Sequence, residues 1–256
     1  MNHSLDRKIL LNPGPATTTN RVKFAQVVPD ICPREREFGE VIKFVSDELI
    51  ALVTKNTTLY SSVLFGGSGT ASIESVISSI IDSDDVLLVI NNGHYGQRAC
   101  DIAELYEVNY INYKSSPVVE LDYAEIEELI SNNKKISHVY IVHNETTTGI
   151  LNDLEIIGSI IKNTGIEFIV DAMSSLGAIP IDMDDYNISY LCASSNKNIQ
   201  GMAGVSFVLL KKESLRKVKN IKPKSYYLDL YSQHDYFISN YQMRFTPPVQ
   251  TIYALK

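Results

Sequence analysis

Short, continuously apolar runs alternate with stretches whose apolar residues recur at helical spacing, and this alternation narrows the fold more than any other feature of the 256-residue chain. The runs Val86-Leu87-Leu88-Val89-Ile90, Val139-Tyr140-Ile141-Val142 and Phe168-Ile169-Val170 have no polar face, and residues 205–210 read as a further strand. Strands apolar on both sides belong in a sheet covered on both faces. Residues 36–53 carry Phe38, Val41, Ile42, Val45, Leu49 and Ile50 at helical spacing, and residues 70–81 carry Ile73, Val76, Ile77, Ile80 and Ile81. Two more helical stretches fall at 121–132 and 153–163. Such a βαβα order predicts an α/β domain, with a mostly parallel sheet sandwiched by helices and right-handed crossovers. A chain of this length suits one large domain, or one plus part of another. At its far end, Pro247-Pro248 opens a helical pattern through Val249, Ile252 and Tyr253 that stops at Lys256 with no closing glycine. That pattern favours a chain cut before a C-terminal domain.

Charge and cysteine usage remove several classes of function. The net charge is −7 and no basic block occurs, so a nucleic-acid partner is not expected. Cys32, Cys100 and Cys192 are odd in number and far apart, which argues against a disulfide framework and against a cysteine zinc site. They read as thiols of a reducing compartment. The opening residues have one apolar run, Ile9-Leu10-Leu11, which Asn12-Pro13-Gly14-Pro15 breaks, and no run of about 18 apolar residues exists. A cytoplasmic protein without a membrane partner is the expectation.

Ligands of open α/β sheets bind beyond the carboxyl ends of the strands, so residues just after each strand are the candidates. Phe65-Gly66-Gly67-Ser68-Gly69-Thr70 opens the helix from 70. Glycines admit a ligand close to the backbone, the helix start offers free N–H groups, and Ser68 and Thr70 add hydroxyls. The loop lacks the lysine of a Walker A motif and the third glycine of a dinucleotide fingerprint. A tight turn with Ser and Thr caps is its plainer reading. Asp171 ends the run 168–170 and could simply be an N-cap. Lys197 lies among small polar residues in Ser194-Ser195-Asn196-Lys197-Asn198, where a solvated charge is the ordinary outcome. Together, a phosphate cradle, an aspartate and a lysine after separate strands meet the needs of pyridoxal 5'-phosphate (PLP): Lys197 to form a Schiff base, Asp171 to keep the ring nitrogen protonated, and a helix start for the phosphate. Tyr95, after the strand ending at Ile90, is placed to stack on such a ring.

These segments resemble the class V aminotransferases of the fold-type I PLP enzymes. The resemblance runs from Leu10-Leu11-Asn12-Pro13-Gly14-Pro15 to the end of the chain. Its most specific strings are Glu145-Thr146-Thr147-Thr148-Gly149 and Asn196-Lys197-Asn198-Ile199-Gln200-Gly201. Within the family they are most similar to the branch that exchanges an amino group between 2-aminoethylphosphonate and pyruvate, rather than to the alanine–glyoxylate and serine–pyruvate branches. A cysteine desulfurase fits less well, since Asn196 rather than His precedes the lysine.

The resemblance implies a PLP-binding large domain over 21–256, with residues 1–20 as an N-terminal arm lining the active site. Lys197 matches the Schiff-base lysine and Asp171 the pyridinium partner. Ser68, Gly69 and Thr70 match the phosphate loop, with Ser195 or Asn196 assisting. Tyr95 matches the stacking position and Thr146 a hydroxyl near the phenolic oxygen. Thr246 matches a residue that reaches the neighbouring subunit's phosphate, which implies a homodimer with shared sites. Family members continue into a smaller C-terminal domain whose arginine clamps the substrate's acidic group, so transamination by these 256 residues alone is not expected. The other alternative is a non-catalytic PLP-fold fragment.

Overall fold

The computed structural model describes residues 8–256; residues 1–7 of the expected N-terminal arm lie outside the described part. Nine strands are present among the described residues: β1 (Tyr60–Gly66), β2 (Val86–Asn91), β3 (Tyr110–Lys114), β4 (Ile136–Val142), β5 (Asn144–Glu145), β6 (Ile150–Leu151), β7 (Glu167–Asp171), β8 (Tyr190–Ser194) and β9 (Val205–Lys211). Nine α-helices join them: α1 (Asn20–Phe24), α2 (Arg36–Ala51), α3 (Gly69–Ile80), α4 (His94–Leu105), α5 (Tyr123–Asn132), α6 (Leu154–Ile161), α7 (Lys212–Lys217), α8 (Leu230–Asn240) and α9 (Val249–Leu255). Seven strands form one sheet in the order β1-β9-β8-β7-β4-β2-β3, and β5 and β6 make a separate two-stranded hairpin.

The expected α/β sandwich is what the chain builds. Along each central strand, successive side chains feed opposite layers. Leu88, Ile90, Val139, Ile141, Phe168 and Val170 pack with Phe38, Ile42, Ile126 and Ile157 of α2, α5 and α6. Leu87, Val89, Tyr140 and Ile169 pack with Ile73, Val76, Ile77 and Ala99 of α3 and α4. Full burial of one such aliphatic side chain contributes roughly 1.5–3 kcal/mol, which is why these runs carry no polar face. Asp122, Asp153 and Asp229 cap α5, α6 and α8 by accepting first-turn N–H bonds.

Strands β3, β2, β4, β7 and β8 are parallel, but β9 runs antiparallel to both β8 and β1. The loop between β8 and β9 is too short to hold a crossover helix, so the chain must turn back on itself. That loop carries Lys197. Several elements were not legible in the sequence, β3 and α4 among them. Strand β3 is a half-exposed edge strand without a continuous apolar run, and α4, which carries Tyr95, begins after only two linking residues beyond β2. Among the described residues, no helix is long and apolar enough to cross a membrane.

Candidate active site

Sheet register gathers the candidate residues at one edge. Gly66 of β1 pairs with Val205, Ser194 of β8 with Ser206, and Asp171 of β7 with both Cys192 and Val142. The carboxyl ends of β1, β8, β7 and β4 therefore open on a common cavity of about 510 Å³. Ser68, Gly69, Thr70, Tyr95, Thr146, Asp171, Asn196 and Lys197 all line it.

Ser68 is the N-cap of the 12-residue helix α3, yet its side chain makes no capping bond. The start of α3 thus keeps hydroxyl and N–H donors for a ligand, at the positive end of the helix dipole. The N–H of Gly67 donates to Gly204 O at 2.9 Å and ties this cradle to the start of β9. On the lysine loop, the N–H of Gly201 donates to Ser195 O at 2.8 Å and that of Gln200 to Lys197 O at 2.9 Å. Residues 14–16 lie against the loop: the N–H of Ala16 donates to Asn196 O at 2.8 Å, and Gly14 lies so close to the Lys197 side chain that a methyl group there would strike it.

Asp171 is 5% exposed. The N–H of Met173 donates to its Oδ1 at 3.0 Å and the hydroxyl of Tyr140 to its Oδ2 at 3.1 Å. Burial pushes this carboxyl up to about 6, against the pull of those two donors and with a further push from the Glu145 charge. Behind it, burial lowers His143 to about 4, and its Nδ1 lies 2.9 Å from Ser175 Oγ.

Tyr95 sits in the first turn of α4, and its position is held from two sides. Its N–H donates at 3.1 Å to Oε2 of Glu145, a fully buried carboxylate reaching across from the β5–β6 hairpin. The Arg98 guanidinium lies 4.7 Å from the Tyr95 ring centroid and donates to Thr70 Oγ1 at 3.4 Å. Glu145 also accepts from Thr147 N and Oγ1, so one carboxylate positions both the Tyr95 helix and the Thr146 turn.

Two candidates lie elsewhere. The Ser195 hydroxyl donates to the carbonyls of Met202 and Val205 and builds the lysine loop from beneath, outside the cavity lining. Thr246 is exposed on the segment before α9 and does not line the cavity. The structure adds Ser194, Arg98 and Tyr140. Arg98 was open to detection as the residue three after Tyr95, on the same helix face, had α4 been read as a helix. Tyr140 was the one aromatic in an aliphatic run.

The donor set fits PLP. Ser194 Oγ is buried and has no hydrogen-bond partner among the described residues, and it lines the cavity. Buried polar atoms are nearly always paired, so this orphan calls for a polar ligand. The open donors at the start of α3 suit a phosphate, Asp171 suits a ring nitrogen, and Lys197 supplies an amine.

The fold is shared with an alanine–glyoxylate aminotransferase from Nostoc sp., at a TM-score of 0.89 and 24% identity, covering 100% of this chain and 67% of that one. The shared arrangement is a mixed α/β fold with a mostly parallel central sheet. Residues 49–256 match the sequence profile described as "Aminotransferase class-V", and the chain belongs to that family of PLP-dependent enzymes. It is 42% identical over 247 residues to a bifunctional phosphonoacetaldehyde hydrolase/aminoethylphosphonate transaminase of Clostridioides difficile, covering 96% of this chain and 38% of that protein. It is 38% identical over 252 residues to a 2-aminoethylphosphonate–pyruvate transaminase of Bacteroides fragilis, covering 97% of this chain and 68% of that one.

Proposed function

We propose that the chain forms the cofactor-binding part of an enzyme that transfers an amino group between 2-aminoethylphosphonate and pyruvate, giving phosphonoacetaldehyde and L-alanine. The observation that carries this reading is the 37–42% identity to relatives named for that activity, over nearly the whole chain. The alanine–glyoxylate alternative rests on likeness of fold, at 24% identity.

PLP, when bound, supplies an electron sink for the carbon that bears the amine. Ser68, Gly69 and Thr70 would hold its phosphate, Tyr95 its ring face, and Thr146 and Asn196 its rim. Asp171 would hold a proton at the ring nitrogen. Its burial is an advantage there, because a carboxylate in a dry site interacts more strongly with a cation than one in water. Lys197 Nζ is the amine within the cavity, and it would anchor the cofactor and move a proton at the substrate carbon. On this reading residues 1–20, of which 8–20 are described, belong to an arm beside the lysine loop, and residues 21–256 form the cofactor domain. The contacts of Gly14 and Ala16 support that division.

The same reading makes the working enzyme a cytoplasmic homodimer, with Thr246 completing the partner's phosphate site. The exposure of Thr246, and of Tyr226 at 77%, whose ring packs against Arg244 and Phe245, supports a second chain there. The test is the half-reaction of a PLP-loaded enzyme that spans the full length of the relatives, with single amino donors, followed by the visible spectrum. 2-Aminoethylphosphonate is expected to outpace L-serine by at least about tenfold. Equal rates, or a preference for serine, would overturn the substrate assignment.

A further inference from the structure

Tyr140 and Asp171 occupy neighbouring parallel strands, β4 and β7, where Tyr140 pairs with Ile169 and Val142 with Asp171. Asp171 follows Ile169 by two residues and so shares its face of the sheet. Tyr140 is therefore the diagonal neighbour of Asp171, at a separation that a long side chain spans. The contact is made: the hydroxyl donates to Oδ2 at 3.1 Å, Tyr140 is 1% exposed, and it lines the cavity. We propose that Tyr140 is the positioning residue for Asp171: its hydroxyl fixes the plane of the carboxylate, favours the charged form, and leaves the open side of that carboxylate facing the cavity.

The distribution of donors supports this role. The N–H of Met173 occupies Oδ1 and the Tyr140 hydroxyl occupies Oδ2, so the carboxylate is gripped at both oxygens from two elements. Burial pushes the Tyr140 hydroxyl well above its ordinary range, so it stays a donor at every working pH. The other groups around Asp171 do not substitute for it. Glu145, on the hairpin, opposes the carboxylate's charge, whereas Arg98 on α4 favours it from a distance without a hydrogen bond. Lys197 lines the same cavity from the β8–β9 loop, and the neighbouring Cys192 thiol is held neutral by burial. Even with both donors in place Asp171 stands at about 6, so the loss of one matters near neutrality.

This inference rests on the PLP reading, and the experiment separates the two. Tyr140→Phe removes one oxygen and keeps the ring in place. In unloaded protein, the Asp171 carboxyl band, assigned by its loss in Asp171→Asn, is titrated by infrared difference spectroscopy. Its midpoint is expected to rise by about one pH unit, the equivalent of about 1.4 kcal/mol. In parallel, PLP binding is measured at two pH values. Tyr140→Phe should weaken it by close to tenfold at pH 5.5 and by less than about twofold at pH 8, because only the acid side finds Asp171 already protonated. An unmoved midpoint, or an equal loss of affinity at both pH values, would overturn the positioning role. Protein that binds no PLP at any pH would overturn the cofactor reading, and the infrared midpoint would still decide the role of Tyr140.

Discussion

Gly93 and Glu145 are predicted to be energetically inseparable. A methyl group on Gly93 would sit 2.6 Å from Glu145 Oε2 and closer still to its Cγ and Cδ, so Gly93→Ala must expel the carboxylate. Expulsion breaks the bond from Tyr95 N at the start of α4, a charge-assisted bond of roughly 1.5–3 kcal/mol. The Thr147 donors are on an exposed residue and recover water, so they add little. Glu145→Ala removes the same bond and leaves a cavity, with some relief from no longer burying a charge. Each single substitution should therefore cost about 2–3 kcal/mol. The double variant should cost about the same as one of them, a coupling of at least about 1.5 kcal/mol. Urea unfolding of the four unloaded proteins measures this, provided the slopes agree. Both singles should also weaken PLP binding, since Tyr95 loses its anchor. Costs that add within about 0.5 kcal/mol would refute the reasoning.

Borohydride reduction of PLP-loaded protein is expected to fix the cofactor on the Lys197 peptide, and Lys197→Ala to abolish that attachment; a label found on Lys211 or Lys212 instead would contradict the assignment. Asp171 and His143 should oppose one another on acidification of unloaded protein. The raised Asp171 gives stability that is full below about 4 and is lost as pH rises to about 6, worth up to about 3 kcal/mol, whereas the lowered His143 costs stability as pH falls from its ordinary 6.5 toward about 4. Asp171→Asn should therefore make the fall in stability from pH 6 to pH 4 steeper than in the parent, and identical slopes would count against the buried-carboxyl account. Thr246→Ala should weaken PLP binding by about 1 kcal/mol, one hydrogen bond, in dimeric protein, as read by PLP titration with sedimentation; a monomer with unchanged affinity would remove the shared site.

The sandwich and most of its strands were legible in the sequence, because a strand buried on both faces must be apolar throughout and the spacing of residues 36–53 and 70–81 admits only a helix. Asp171 and Lys197 were legible for a related reason: polar residues directly after apolar strands stand at the ligand-binding edge whatever the strand order. Other features depend on register and distance. No local pattern reveals that β9 runs backwards, since its side chains are apolar in either direction. Nor does any pattern show that the Ser195 hydroxyl is spent on Met202 and Val205 while Ser194, one residue earlier, faces the cavity unpaired. Alternation along β8 sends neighbouring side chains to opposite sides, and which side holds the ligand is a property of the assembled sheet. Glu145 and Arg98 gained their roles in the same way, from contacts 50 and 28 residues away in sequence. Composition and periodicity determined which segments would be buried. Tertiary structure decided which polar atoms would meet, because the partner of a buried polar group is chosen by distance in space and not by order along the chain.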